Sequence, residues 1–283
     1  MIVPRLKDEE LLKEVEQFAD DNNNFHLWWL GQSGYLLTFR GERLLLDPYL
    51  SDSLTVKYAD TNKPHIRMSE RVIDPALLKN IAIVTSSHNH TDHLDGETLV
   101  PLIGNNPNIT FIIPEANRKF VSNRVLCSEN FPVGLEDGES VAVGSFTFYG
   151  VPASHNEIEK DEFGRCRFMG YVIRFGDFTI YHSGDTLLYE GMADLLKPFH
   201  IDVALLPING NDPTRGVAGN LDAAEAVALA KAADIGIVIP CHYDMFTFNT
   251  ADPAEFISIA QTEGQPYHVL EHGGHFSSEQ IRK

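Results

Sequence analysis

The chain has 283 residues, 43% of them apolar, which is enough to build one large α/β domain or two small ones. Its 40 acidic and 22 basic side chains give a formal net charge of −18, which opposes unguided contact with nucleic acid or an anionic membrane surface. No run of about 18 apolar residues occurs, so no membrane span is predicted. The three cysteines form no CxxC pair, which argues against a disulfide framework or a thiolate metal cluster.

The predicted elements begin with a helix. Residues 1–21 are acidic and amphipathic and lack the apolar centre of a secretory signal, which predicts a helical extension over 1–24 and a cytoplasmic location. Three short strands follow: a run ending at Trp29, then YLLTF, then RLLLD, separated by the turns LGQSG and RGE. IAIVTSSHNH is then a strand that runs into a histidine-rich segment, followed by the helix-compatible DGETLVPLIG and the strand ITFIIP.

The second half of the chain continues this alternation. SFTFYGVPASHNE, RFMGYVIRFG and DFTIYHSGDT have strand patterns, LLYEGMADLLKPF is helical and IDVALLPING is a buried strand. NLDAAEAVALAKAA predicts a helix with Asn220 as its cap, and IGIVIPCHYD returns to strand. Because no linker or low-complexity segment interrupts the pattern, we expect one domain over residues 1–283.

Polar side chains follow the apolar strands at the points where those strands end. Asp47, His88, His155, Asp185 and His242 each occupy such a position. Strand ends around an open sheet are where loops converge into a crevice. We therefore expect these five side chains, which are distant in sequence, to lie close together.

The segment SSHNHTDHLD, residues 86–95, has the spacing H-x-H-x-D-H. Alternate residues of an extended segment project to one side, so His88 and His90 can share one cation while Asp92 and His93 reach a neighbouring one. A solvated polar loop is the alternative, but it does not account for further donors at three other strand ends. The spacing therefore predicts a two-metal site completed by His155, Asp185 and His242.

The motifs HNHTDH, VPASH, YHSGDT and IPCH, in this order, resemble the successive metal-binding motifs of the metallo-β-lactamase superfamily. Asp47 in LLLDPYL resembles the superfamily's early aspartate, which supports the metal loop without binding metal. Within the superfamily, WLGQSGYLL, DPYLSD, SGDTLLYEGM, LLPING and CHYDMF are similar to the L-ascorbate-6-phosphate lactonase-like group. The resemblance implies an α/β fold, a four-layer αββα sandwich with the metals at one rim of its two sheets.

The resemblance also implies how the ligands divide. By position, one metal is held by His88, His90 and His155, the other by Asp92, His93 and His242, and the bridge is Asp185. Imidazole and oxygen ligands without thiolate suit two divalent ions, zinc, manganese or iron(II), and the lactonase likeness favours manganese. The same likeness implies a homo-oligomer.

Two cations can hold one water between them, lower its pKa toward neutrality and polarise a carbonyl oxygen. We therefore expect a metal-dependent hydrolase in which a metal-bridging hydroxide attacks an ester-type bond, with a lactone as the leading substrate. Asp92 is expected to orient the hydroxide and to protonate the leaving oxygen. Two alternatives stay open: a phosphodiesterase or phospholipase D-like hydrolase, and a non-catalytic metal-binding sensor or assembly subunit.

Substrate recognition has weaker signals. Asn209, Asn211 and Arg215 form a polar loop after a strand, which predicts contact with a small-molecule substrate that is anionic, a solvated loop being the alternative. The polar insertion 51–70 contains Lys57, His65 and Arg67, and it either covers the rim of the site or lies on the surface.

Several further side chains fit no ligand position in these motifs. We expect His26 and His182 to be packed, Ser33 to belong to a tight turn and Cys241 to face the core. For His272 and His275 in LEHGGHF, an approach to the rim and a plain terminal turn both stay open.

Overall fold

The computed structural model describes residues 1–281, which contain seven α-helices and thirteen strands. The helices are α1 Asp8–Gln17, α2 Ser53–Lys57, α3 Gly96–Asn105, α4 Arg118–Val125, α5 Met192–Leu196, α6 Ala223–Ala232 and α7 Pro253–Glu263. The strands are β1 Phe25–Gly31, β2 Gly34–Phe39, β3 Glu42–Leu46, β4 Ile83–Thr85, β5 Thr110–Pro114, β6 Val133–Leu135, β7 Ser140–Val143, β8 Phe146–Pro152, β9 Met169–Phe175, β10 Phe178–His182, β11 Val203–Pro207, β12 Ile237–Cys241 and β13 His275–Ser277.

The strands form two mixed sheets. The first has seven strands in the order β13-β1-β2-β3-β4-β5-β6, antiparallel from β13 to β3 and parallel from β3 to β6. The second has six strands in the order β12-β11-β10-β9-β8-β7, parallel from β12 to β10 and antiparallel from there to β7. The predicted meander of β1, β2 and β3 is confirmed.

Strand β1 shows why the structure has layers. Phe25, Leu27 and Trp29 belong to the core shared by the two sheets, where the Phe25 ring lies 5.5 Å from the ring of Phe175 in the second sheet. The intervening Trp28 and Leu30 belong to a separate core on the other face of the first sheet. Successive side chains of a strand point to opposite faces, so a fully apolar strand must be covered on both sides.

Helices supply the outer layers. Leu11 of α1, Leu99 of α3 and Val121 of α4 pack in the core on the outer face of the first sheet. Ala226 of α6 and Phe256 of α7 pack with the second sheet. This arrangement confirms the predicted four-layer αββα sandwich.

Two local predictions are refined by the structure. The N-terminal helix is confirmed, but it spans only Asp8–Gln17 and is buried through Leu11 and Val15. The predicted cap Asn220 is wrong, because Asp222 caps α6 in a reciprocal pair with Glu225. Asn220 instead donates its side-chain amide to Asn209. Within residues 1–281, none of the helices has the length and apolar character needed to cross a bilayer.

Candidate metal centre

The polar side chains after five strand ends meet at one rim of the two sheets, as the sequence predicts. Asp47 follows β3, His88 follows β4, His155 follows β8, Asp185 follows β10 and His242 follows β12. Asp47 and His242 have left-handed backbones, with φ of 39° and 68°, which turn the chain sharply as each strand ends. Such conformations are costly for non-glycine residues and concentrate at functional sites.

The loop after β10 approaches the histidine-rich loop closely because it contains a glycine. Gly184 has φ of 59°, and a Cβ at this position would lie 2.7 Å from the Cβ of Ser87. Any larger residue would push Asp185 away from His88 and its neighbours. Gly184 therefore sets the separation of the two loops.

Three histidines form a first cluster. His88, His90 and His155 each offer one ring nitrogen, and these atoms all lie within 4.8 Å of one another. The ring centroids are 4.7 Å apart for His88 and His90, and 4.9 Å apart for His90 and His155. His155 donates its Nδ1 proton to the carbonyl of Gly219 at 2.8 Å, which leaves Nε2 free to bind a cation.

A second cluster combines two carboxylates with two imidazoles. Asp92, His93, Asp185 and His242 offer atoms that again lie within 4.8 Å of one another. The Nε2 atom of His93 lies 3.2 Å from Asp185 Oδ1, and the Nε2 atom of His242 lies 3.7 Å from Asp92 Oδ2. Asp185 also reaches the first cluster, since its Oδ2 lies 3.6 Å from His155 Nε2.

Asp47 lies behind the second cluster and is fully buried. Its Oδ2 lies 2.7 Å from His93 Nδ1, and its Oδ1 accepts hydrogen bonds from the Thr85 hydroxyl at 2.9 Å and the Ser87 amide at 3.0 Å. A proton held on Nδ1 of His93 leaves Nε2 as the ligand atom. Asp47 therefore contacts the candidate ligand His93 and belongs to neither cluster itself.

Unpartnered buried atoms test whether these clusters fit cations. Among the described residues, His88 Nε2 is buried without a hydrogen-bond partner, and His93 Nε2 and Asp185 Oδ1 are buried and face each other at 3.2 Å without hydrogen-bond geometry. Buried polar atoms normally have hydrogen-bond partners, and three unsatisfied ligand atoms in one centre need an explanation. Divalent cations ligated by neutral nitrogen and carboxylate oxygen supply it, so the residues present fit a metal centre.

The two clusters differ in charge. Burial lowers the pKa of His88, and it lowers the pKa of His90 to about 4, so both rings are neutral. Burial would also lower the pKa of His242, but the carboxylates of Asp185 and Asp92 outweigh it and raise this pKa to about 9. The same two carboxylates raise the pKa of His93 against its burial. Without metal, protons on these two imidazoles offset the carboxylates.

Gln32 is a site residue that the sequence analysis missed. It lies in the turn between β1 and β2, and its side-chain nitrogen is 3.0 Å from Asp92 Oδ2 and 3.1 Å from His242 Nε2. Its backbone carbonyl also accepts hydrogen bonds from Trp29 Nε1 and from the amide of His242. The available signal was its place in the turn at the end of β1, which it shares with Ser33.

The residues predicted to bind substrate lie behind the cavity that opens on the clusters. Arg215 donates to Asn249 Oδ1 at 2.7 Å and to the carbonyls of Asn209 and Gly210. Asn209 donates to Asn249 at 2.8 Å, and Asn211 is exposed beside Gly219. None of Asn209, Asn211 and Arg215 is among the described residues that line this cavity.

The insertion 51–70 does form part of the rim. Lys57 and His65 line the cavity, together with Lys63, which the sequence analysis did not single out. Arg67 turns away and pairs with Asp52 at 2.9 Å.

The remaining histidines lie outside the two clusters. His26 contacts His275 at 3.1 Å between ring nitrogens, and His275 lies in β13. His272 packs on Trp29, and His182 lies 2.8 Å from the carbonyl of Ser33. Cys241 is buried in the core between the sheets, as predicted.

Comparisons with known proteins agree with this geometry. Residues 42–243 match the family model described as "Beta-lactamase superfamily domain". A "UPF0173 metal-dependent hydrolase" of Pyrococcus horikoshii is 31% identical over 233 residues, which cover 81% of this chain and 88% of that protein. One of Caldivirga maquilingensis is 28% identical over 243 residues, 84% of this chain and 90% of that protein.

A solved structure shows the same fold. Igni18, a metallo hydrolase from the hyperthermophilic archaeon Ignicoccus hospitalis, aligns with a TM-score of 0.65 at 22% identity, covering 90% of this chain and 98% of that one. The family assignment is consistent with the sandwich fold and with the clustered histidines and aspartates. The chain belongs to the β-lactamase superfamily and, within it, to the UPF0173 metal-dependent hydrolase family.

Proposed function

We propose that the chain hydrolyses a small ester-type substrate, with a lactone as the leading class. The clusters would hold two divalent ions: His88, His90 and His155 would bind one, Asp92, His93 and His242 would bind the other, and Asp185 could reach both. When bound, such a pair lowers the pKa of water toward neutrality and polarises the oxygen of the scissile bond. The similarity of WLGQSGYLL and SGDTLLYEGM to the lactonase-like group supports the choice of substrate.

The position of Asp92 carries this proposal. Asp92 and Asp185 both line the cavity, but Asp185 is buried like Asp47, whereas the side chain of Asp92 keeps 15% of its surface exposed. Its contacts with Gln32, His93 and His242 all use Oδ2. Oδ1 therefore stays available to a reacting molecule.

Asp92 has the protonation state that a general base needs. Burial opposes ionisation, but His93 and His242 outweigh it and hold the pKa of Asp92 well below its usual range. At neutral pH the carboxylate accepts the proton of the attacking water as the new carbon–oxygen bond forms. It then returns that proton to the leaving oxygen as the ester bond breaks, which gives an acid and an alcohol.

The test uses purified protein saturated with manganese, zinc or iron(II), assayed on γ- and δ-lactones and on p-nitrophenyl phosphodiesters. We expect lactone hydrolysis, and we expect Asp92→Asn to lower kcat by about 100-fold or more at saturating metal. Asp194→Asn, an exposed carboxylate on α5, is the matched control and keeps the wild-type rate. Metal content is measured for each protein, so that loss of metal and loss of proton transfer are separated.

Other outcomes select the alternatives. Turnover of the phosphodiesters and not of lactones would favour a phosphodiesterase. Full metal occupancy without turnover of any substrate would favour a metal-binding protein. A wild-type kcat in metal-replete Asp92→Asn would exclude Asp92 as the acid and base.

A further inference from the structure

The cavity beside the metal centre has a volume of about 360 Å³ and two walls that belong to different segments. One wall comes from α2 and the loop that follows it, through Leu54, Lys57, Lys63 and His65. The other comes from residues 216–218 and Asn249. Side chains of the two clusters form its floor, so a ligand that these walls bind is held next to Asp92.

The charge of the walls is opposite to that of the whole chain. The chain has 40 acidic and 22 basic residues. Within the part of the chain that the structure describes, the only carboxylates that line the cavity are Asp92 and Asp185, both of the metal centre. The walls instead carry the ammonium groups of Lys57 and Lys63. Positive charge on the walls, with the carboxylates confined to the metal centre, attracts an anion to the walls of this cavity.

Neither ammonium group is neutralised by a carboxylate of the described residues. Lys57 Nζ donates to the hydroxyl of Thr91 at 3.2 Å, and Thr91 lies between His90 and Asp92 in sequence. Lys63 Nζ donates to the carbonyl of Gly216. Lysines elsewhere do pair with carboxylates, as Lys7 does with Glu70 at 2.7 Å. Each ammonium carries three donors, so both can still bind an anionic group.

Apolar side chains also line the cavity. Leu54, Tyr58, Val217 and Phe246 offer contact to an organic skeleton, while Asn156 and Asn249 add polar groups. A small cavity that combines apolar contacts with a few placed polar and charged groups is typical of a site for a small organic anion.

We infer that the substrate carries a carboxylate or phosphate group, which Lys57 and Lys63 bind while its ester bond lies at Asp92. This inference rests on the proposed hydrolase and adds the feature by which it selects its substrate. It replaces the predicted role of Asn209, Asn211 and Arg215 with two lysines of the insertion 51–70.

The test compares matched esters on the metal-saturated protein: p-nitrophenyl acetate, which is neutral, and the p-nitrophenyl monoester of succinate, which carries a carboxylate. A phosphate-bearing ester of similar length is the third arm and distinguishes the two anions. The measured quantity is the ratio of kcat/KM for the anionic ester to that for the neutral ester. We expect Lys57→Met and Lys63→Met each to lower this ratio about tenfold, mainly through KM.

Lys13→Met, an exposed lysine of α1 outside the cavity, is the matched control and keeps the ratio. Added salt should lower the ratio in the wild type and have less effect in the double variant. An unchanged ratio in the double variant, or equal losses for both esters, would overturn the inference and leave the hydrolase standing.

A second measurement separates this inference from the proposed function. If neither these esters nor the lactones are hydrolysed, the proposed activity fails. Calorimetric titration of the metal-saturated protein with succinate and inorganic phosphate then tests whether the two lysines bind an anion. Binding of either anion that weakens about tenfold in the double variant, but not in Lys13→Met, would support the anion site. Equal binding by all three proteins, or no binding, would overturn it.

Discussion

The imidazoles of the centre have different charges before a metal binds, although their sequence motifs look alike. For His88 and His90, burial and the neighbouring histidines outweigh the nearby carboxylates and keep both rings neutral. His93 and His242 lie against Asp92 and Asp185, which hold protons on them. Imidazole binds a metal only in its neutral form. Metal binding therefore requires the second cluster to release protons, whereas the histidines of the first cluster are already neutral.

We predict that binding of zinc or manganese at pH 7 releases about two protons, one each from His93 and His242. The pKa of His242 is raised to about 9, so the apparent metal affinity is expected to increase with pH up to that value. Isothermal titration calorimetry in buffers with different ionisation enthalpies measures the release. At pH 9.5, where His242 is already neutral, a smaller release is the internal control. Identical heats in all buffers at pH 7 would contradict the prediction.

The members of the two clusters can be found from the sequence because each stands in a motif at the end of an apolar strand. Gln32 and Lys63 cannot be found in this way, since a turn glutamine and a loop lysine have no period or spacing. Their approach to the centre depends on how their segments fold over it. Arg215 shows the converse, because a polar loop looks the same whether its side chains bind a ligand or one another.

Among the elements, the corner formed by α1, β1 and β13 contains a second group of buried titratable side chains, far along β1 from the metal centre. His26 lies 3.1 Å from Asp21 through Nε2 and 3.1 Å from His275 through Nδ1. His275 is stacked on Trp28 with ring centroids 4.7 Å apart, and Trp28 donates to Glu14 of α1. His275 therefore lies where α1 meets the sheet, stacked on the tryptophan that bonds to the helix.

We predict that this corner makes the fold sensitive to mild acid. Burial and the neighbouring His26 lower the pKa of His275 from 6.5 to about 4, so the folded state keeps the ring neutral while the unfolded state protonates it below pH 6.5. The unfolded chain thus binds more protons, and stability is lost as pH falls from 6.5 to 4. His275→Gln is expected to reduce the loss between pH 7.5 and pH 5 by about 1 kcal/mol.

Urea unfolding at the two pH values, on protein treated alike with chelator, measures the difference. His200→Asn, an exposed histidine after α5, is the matched control and keeps the wild-type dependence. If His275→Gln lost as much stability on acidification as the wild type, titration of His275 would not contribute.

Long apolar strands and the alanine-rich helix α6 are predictable because their patterns extend over five or more residues. Strand β13 is not, since only three of its residues pair with β1 and the preceding glycines resemble a turn. Its position at the edge of the sheet depends on pairing with β1. The cap of α6 was predicted two residues too early for a similar reason, because Asn220 and Asp222 are equally good caps in sequence. In the structure the side chain of Asn220 bonds to Asn209 and is not free to cap the helix.

Across the whole molecule, the metal centre joins the two sheets. His88 and His93 come from the loop after β4 of the first sheet, whereas His155, Asp185 and His242 follow strands of the second. Cations bound between them would connect the sheets at one rim. Since such a site exists only in the folded chain, metal binding adds to folding stability.

We predict that removal of metal lowers Tm. Metal present at about 100 times its Kd contributes about 2.7 kcal/mol, which corresponds to about 5 to 10 °C for a chain of this size. Scanning calorimetry with chelator and with added zinc or manganese measures the shift. Asp185→Asn is expected to show a smaller metal-dependent shift, while Asp194→Asn keeps the full one. Equal Tm values for wild type with chelator and with metal would contradict the prediction.

The fold class follows from the sequence because strands and helices alternate and the polar residues fall at strand ends. The order of strands within the two sheets does not, since it depends on which edges pair after collapse. The same limit applies to the cavity, whose walls lie about 150 residues apart in sequence and are joined by the bond between Lys63 and Gly216.

That bond has a consequence for how molecules enter. Because the ammonium of Lys63 keeps two further donors, an anion that enters can bind it without breaking this bond, and the two walls stay joined around the bound group. A neutral molecule gains no ion pair at the same point. The junction of the walls therefore favours charged molecules before any bond is broken inside.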